Sequence, residues 1–163
     1  MRLLVIRHAQ AVPPGAVPDA ERALTSEGAR RFREAAAGLA RLLPAPDALW
    51  TSPLVRARET AALAGVAWSI EPAPKRVLAS GGLDAIVARL EQEPQDATIV
   101  LVGHEPTVSM LVAQLTGMSD ALAFEPGAAA LLEIDSLAAR DARLVWFLPP
   151  AGAAAAVRGD AAQ

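Results

Sequence analysis

Two short runs of uninterrupted apolar residues do most to limit what this chain can become. Residues 2–6 (RLLVI) and 98–102 (TIVLV) are rich in branched side chains and show no polar alternation. A strand solvated on one face alternates apolar with polar residues. A continuous run fits a strand buried on both faces, as in parallel sheets covered by helices. The intervening segments supply such helices. In residues 24–43, Thr25 or Ser26 can cap, Glu27 falls in the first turn, and Phe32, Ala35, Ala36 and Leu39 recur at i, i+3, i+4 and i+7. Pro44 and Pro46 then end the helix.

The rest of the chain continues the alternation. Asp47–Thr51 reads as a strand, and Ser52-Pro53 as a helix opening with Ser at the cap and Pro at the first helical position. Trp68–Glu71 is expected to be a third strand. Leu83, Ile86, Val87 and Leu90 mark one helix, and Val108, Leu111, Val112 and Leu115 mark another beginning at Pro106. Ala129–Ile134 and Arg143–Leu148 read as two strands around a turn at one side of the sheet. The pattern predicts a three-layer α/β/α sandwich with a mostly parallel central sheet. The 163 residues suit one domain, over 1–149. Residues 150–163 are rich in Ala and Gly without large apolar side chains, and are expected to form a flexible tail.

Composition narrows the function classes. A net charge of −3 and the absence of cysteine argue against a nucleic-acid surface, an anionic-lipid surface, a thiol nucleophile and a Cys-based zinc site. No histidine lies near a carboxylate cluster at metal-ligand spacing, so no metal or cofactor is expected. The four apolar residues between Arg2 and Arg7 fall short of a signal-peptide core, and no uncharged run reaches the roughly 18 residues of a membrane span. A cytoplasmic, non-membrane protein is therefore expected.

Three strands end in polar signatures. The first ends in Arg7-His8, the second in Ser52-Pro53 with Arg56 one turn on, and the fourth in Gly103-His104-Glu105-Pro106. In open α/β sheets, ligands bind outside the carboxyl ends of the strands. If these strands are parallel, two arginines, the chain's two histidines and two helix N-termini converge on one rim. Such a constellation binds a dianion such as a phosphoryl group.

These motifs resemble the histidine phosphatase superfamily, the phosphoglycerate-mutase-like proteins. Arg7-His8 stands at the Arg-His motif, and Leu24-Thr25 with Gly28 at Leu-Thr-x-x-Gly. Residues 52–60, from Ser52 through Arg56 to Thr60, stand at Ser-Pro-x-x-Arg-x-x-x-Thr, and Gly103-His104 at the second histidine motif. Only about 44 residues separate Thr60 from His104, leaving little room for the acid-bearing insertion of larger relatives. The chain thus looks most like the short bacterial phosphohistidine phosphatases. Asp19 and Arg22 stand where that branch carries an Asp and an Arg. Gln10 departs from the acidic residue of many relatives and is given no role.

The resemblance implies a phosphatase with a covalent phosphohistidine intermediate. His8 is the implied nucleophile, with its second ring nitrogen donating to a backbone carbonyl. Arg7, Arg56 and His104 would hold the phosphoryl oxygens, with Arg22 a further substrate contact or a salt-bridge residue. Asp19 and Glu105 are candidates for the proton donor, although Glu105 also suits a helix start and Asp19 an ordinary loop. The expected substrate is a phosphorylated protein such as a histidine-containing phosphotransfer domain. A small phosphate ester and a non-catalytic phosphate-recognition module are the alternatives.

Overall fold

The computed structural model describes residues 1–15 and 17–158. Among these residues six strands form one sheet: β1 (Arg2–Arg7), β2 (Ala48–Thr51), β3 (Pro72–Pro74), β4 (Thr98–Gly103), β5 (Ala129–Ser136) and β6 (Asp141–Leu148). Among the same residues six helices surround it: α1 (Ser26–Leu42), α2 (Val55–Trp68), α3 (Val77–Ser80), α4 (Leu83–Leu90), α5 (Thr107–Thr116) and α6 (Pro150–Arg158). A 3-10 turn covers Asp19–Glu21. The strand order is β3-β2-β4-β1-β5-β6. Strands β1 to β4 run parallel, β5 is antiparallel to β1, and β6 is antiparallel to β5, so only β5 opposes the others.

The two apolar runs are neighbours at the centre of this sheet, with Leu3 opposite Ile99 and Val5 opposite Leu101. Successive side chains point to opposite faces. Leu3, Val5, Ile99 and Leu101 pack with Ile86, Leu90, Val108 and Leu111 of α4 and α5. Leu4, Ile6, Val100 and Val102 pack with Phe32, Leu39, Ala57 and Ala61 of α1 and α2 on the other side. Burial on both faces is why these strands lack polar alternation, and it produces the three expected layers.

Three local expectations differ from what is found. Helix α2 begins at Val55, and the hydroxyl of Ser52 accepts weakly from Leu54 N at 3.4 Å instead of capping the helix. Ser52, just past β2, is still held by β4, because its N–H bonds to the Val102 carbonyl at 3.1 Å. The predicted strand at Trp68–Glu71 is displaced: α2 runs through Trp68, Ser69 ends it in a left-handed conformation, and β3 follows at Pro72–Pro74. The aromatic at position 68 suggests a strand, but its indole N–H reaches the Leu43 carbonyl at 2.7 Å from the helix end.

The third difference lies at the C-terminus. The tail expected over 150–163 is a helix over Pro150–Arg158, and residues 159–163 fall outside the described residues. Large side chains are not needed there because α1 supplies Gly38, where a Cβ would lie 1.7 Å from the Ala153 carbonyl oxygen. The two helices meet backbone to backbone at Gly38 and Ala153, Ala153 is buried, and Arg41 of α1 donates to the Val157 carbonyl at 2.7 Å. Among the described residues no helix is long and apolar enough to cross a membrane.

Candidate active site

Strands β1, β2 and β4 are parallel neighbours, so their carboxyl ends share one rim. The chain leaving β1 is pinned from two sides. Arg7 N donates to the Ala128 carbonyl at 3.0 Å, and His8 N donates to the Gly103 carbonyl at 2.9 Å. Gly127 N then bonds to both the Arg7 and His8 carbonyls, at 3.1 and 3.2 Å. Gly127 reaches this position with φ +87°, and its missing Cβ would touch Phe32 and Pro150. The sequence motifs act on the same loop. Thr25 caps α1 by accepting from Gly28 N at 2.9 Å, and its own N–H bonds to the Gln10 carbonyl at 3.0 Å. A Cβ on Gly28 would lie 2.2 Å from that carbonyl, so the Thr-x-x-Gly spacing lets the loop after His8 rest on the helix start.

His8 is buried, and its Nδ1 lies 2.7 Å from the Ala9 carbonyl oxygen. A carbonyl only accepts, so Nδ1 carries the proton and Nε2 keeps its lone pair. The His8 and His104 rings stand 5.1 Å apart, tilted by 55°. His104 follows Gly103, where a Cβ would crowd Val108 at 3.0 Å, and the His104 carbonyl accepts from Val108 N in the first turn of α5. Arg7 donates from Nη1 to the Phe124 carbonyl at 2.5 Å. Arg56, 7% exposed, reaches the same rim from the first turn of α2.

Charge and burial act together on the two imidazoles. Burial pushes His8 down from 6.5 to about 4, and the Arg56, Arg7 and Arg22 guanidiniums push the same way against its hydrogen bond to Ala9. Burial also lowers His104 to about 4, helped by His8, Arg56 and Arg7 and opposed by Asp19. Both rings are neutral at pH 7. Several buried polar atoms at this rim are left without a partner. Arg7 Nε, Arg56 Nε and both ring nitrogens of His104 are buried without a protein hydrogen-bond partner. Buried polar groups are normally paired, so this collection calls for a ligand rich in acceptor oxygens.

The chain belongs to the histidine phosphatase superfamily. Residues 3–79 match the family model described as histidine phosphatase superfamily, branch 1. An uncharacterised protein of Mycobacterium tuberculosis is 33% identical over 115 residues, or 70% of this chain and 72% of that protein. A Nakamurella multipartitia structure provisionally named phosphohistidine phosphatase SixA is 32% identical with TM-score 0.79, covering 91% of this chain and 95% of that one. The fold also matches protein histidine phosphatase SixA complexed with tungstate, at TM-score 0.83 and 24% identity over 93% and 98% of the chains. It likewise matches a mycobacterial glucosyl-3-phosphoglycerate phosphatase, at TM-score 0.68 and 17% identity over 88% and 96%. Members of the family hydrolyse phosphate esters, and the rim described above is where this family member gathers its polar residues.

The remaining candidates take unequal positions. Asp19 bridges two arginines, accepting at Oδ1 from Arg22 Nη1 at 2.7 Å and at Oδ2 from Arg56 Nη2 at 3.0 Å. Those hydrogen bonds, Arg22 first, hold its carboxyl below the usual carboxylate range. Arg22 is tied further to the Val12 carbonyl through Nε at 2.8 Å. Glu105 accepts from the Ser109 hydroxyl at 2.6 Å, within the opening turn of α5, and its Oε1 is buried without a partner. The backbone carbonyl expected on the second ring nitrogen of His8 is that of Ala9. The sequence reading missed other residues that hold the site in place: the Phe124 carbonyl, Gly127, and Glu59, whose carboxylate accepts from Leu24 N at 2.6 Å. Backbone partners leave no trace in side-chain identity. Glu59 reaches Leu24 across 35 positions, which nothing in its own helix signals.

Proposed function

We propose that this protein is a metal-independent phosphatase that dephosphorylates phosphohistidine on a protein, with His8 as nucleophile. The lone pair on His8 Nε2 attacks phosphorus, and the P–N bond to the substrate imidazole breaks with its electron pair passing to that nitrogen. The substrate ring, protonated on its other nitrogen, departs as neutral imidazole. Water then attacks the phosphoryl group on His8, its P–N bond breaks, the water proton passes to phosphate or solvent, and the neutral imidazole returns. The proton stays on His8 Nδ1, donated to the Ala9 carbonyl throughout, so His8 also departs as a neutral ring. Arg7, Arg56 and His104 offer donors to the phosphoryl oxygens, which is most of what phosphoryl transfer requires of a protein.

The observation that carries the substrate choice is the state of Asp19. A carboxylate held ionised by Arg22 and Arg56 is poorly placed to protonate a leaving alkoxide. A phosphoimidazole needs no such acid, because its departing group has a conjugate acid of pKa about 6.5. The test is a panel of phosphohistidine protein, an aryl phosphate and simple alkyl or sugar phosphates, with and without exhaustive EDTA treatment. The expected order in kcat/KM is the order just given, unchanged by EDTA because arginines supply the positive charge. Enzyme quenched in alkaline denaturant is expected to carry acid-labile, base-stable phosphate, absent in a folded His8→Ala variant. A sugar or alkyl phosphate turned over as fast as phosphohistidine protein overturns the substrate assignment in favour of a small-molecule phosphatase. Full activity in His8→Ala overturns the nucleophile, and binding of phosphate without turnover on any substrate leaves only a recognition module.

A further inference from the structure

Thr60 lies on α2 one helical turn beyond Arg56, with no exposed surface. Its hydroxyl donates to the Arg56 carbonyl at 2.7 Å. Such a bond to the carbonyl four residues back is common for threonine in a helix and would be purely local. The second bond is not local. Thr60 Oγ1 also accepts from the N–H of Ala9 at 3.0 Å, across 51 positions of sequence. Ala9 is the residue whose carbonyl accepts the Nδ1–H hydrogen bond of His8.

We propose that Thr60 is a positioning residue that fixes the orientation and tautomer of the His8 ring relative to Arg56. The proposal rests on the reading of His8 as nucleophile. The residues before Ala9 find backbone acceptors on both sides of β1: Arg7 N at Ala128 and His8 N at Gly103. Ala9 N lies past the strand end and takes a side-chain oxygen instead. Thr60 holds the peptide that enters Ala9, and from that peptide the Ala9 carbonyl reaches back to His8 Nδ1. If that carbonyl turned away, the Nε2–H tautomer would compete, presenting a proton to phosphorus where a lone pair is required. The same hydroxyl ties this peptide to the Arg56 backbone, so nucleophile and phosphoryl grip have this support in common.

Removing the hydroxyl leaves Ala9 N–H buried and unpaired and frees the carbonyl. Thr60→Val keeps the shape, Thr60→Ala avoids pressing a methyl on the amide, and Thr60→Ser keeps the hydroxyl. The decisive readout is the ring nitrogens in two-dimensional proton–nitrogen NMR at pH 7. The chain has two histidines, so His104→Gln isolates the His8 signals. Expected are a wild-type His8 with its proton on Nδ1, mixed tautomers in Thr60→Val and Thr60→Ala, and the wild-type pattern in Thr60→Ser. Turnover should follow: kcat falls about 10²-fold in the two hydroxyl-free variants, as for a misplaced reacting group, with KM little changed, and returns in Thr60→Ser.

A proton on Nε2 in the wild type overturns the proposal whatever the variants do. So do folded Thr60→Val or Thr60→Ala proteins with the wild-type tautomer and kcat. Should neither fold, a folded Thr60→Ser protein that lost the Nδ1–H tautomer would also overturn it. The ring spectrum does not depend on turnover, so its outcome is distinct from a failure to find phosphate on His8.

Discussion

Asp19 lies across the end of the Arg56 guanidinium, taking Nη1 on its backbone carbonyl at 2.6 Å and Nη2 on its carboxylate at 3.0 Å. An anion therefore already occupies both outer nitrogens of the guanidinium proposed to hold the phosphoryl group. Asp19→Asn removes that charge while keeping the shape. Affinity for inorganic phosphate or vanadate is expected to rise several-fold at low salt. The kcat on an aryl phosphate is expected to fall by less than about tenfold, against the 10²–10⁴ typical of a lost general acid. A loss in that larger range would make Asp19 the proton donor after all.

Arg56 itself separates charge from geometry. Arg56→Ala is expected to lower kcat/KM by roughly 10²–10³, as for one lost oxyanion donor. Arg56→Lys restores a charge but not the planar fork, and is expected to recover little. Wild-type rate and vanadate affinity in Arg56→Ala would make it a structural partner of Asp19 alone.

The imidazoles make the pH dependence specific. With His8 lowered to about 4, kcat/KM is expected to hold down to near pH 4 instead of falling near 6.5, once ionisation of the substrate's phosphoryl group is corrected for. Stability follows the same groups. Between pH 6.5 and about 4 the unfolded chain binds protons that folded His8 and His104 do not, so stability is full above 6.5 and lost as pH falls through this window. Glu27, held near 2 by Arg30 and Arg31, contributes lower down, from 4.5 to about 2. Urea midpoints for wild type and His104→Gln at pH 7 and pH 5 check the assignment. The wild-type loss between these two values should shrink in the variant.

Two glycines of α1 should respond differently to the same substitution. At Gly28 an added Cβ meets the Gln10 carbonyl, two residues past His8, whereas at Gly38 it meets Ala153 of α6. Both Gly→Ala changes are expected to cost about 1–3 kcal/mol through overpacking, exceeding the gain in helix propensity of about 1 kcal/mol. Only Gly28→Ala should also lower kcat. Denaturation midpoints and turnover measured on the same two proteins decide it.

The layers of the fold could be read from residues 2–6 and 98–102 because burial on both faces writes itself into hydrophobicity, a local property of each strand. The rim could be read because Arg7, His8, Arg56 and His104 are side chains that a strand end or helix start has to present somewhere. Helix α6 escaped that reading. Its fit depends on Gly38, more than a hundred positions away, and small residues meeting small residues leave no hydrophobic signal. The state of the site escaped it for the same reason. Asp19 is a loop residue in sequence, and only the approach of Arg22 and Arg56 makes it a fixed anion. Thr60 is one more polar residue in a helix until the chain brings Ala9 against it. Sequence determined which chemical groups and which buried strands this chain has. Tertiary structure decided which groups are charged, paired and aimed, because those depend on neighbours that only folding brings together.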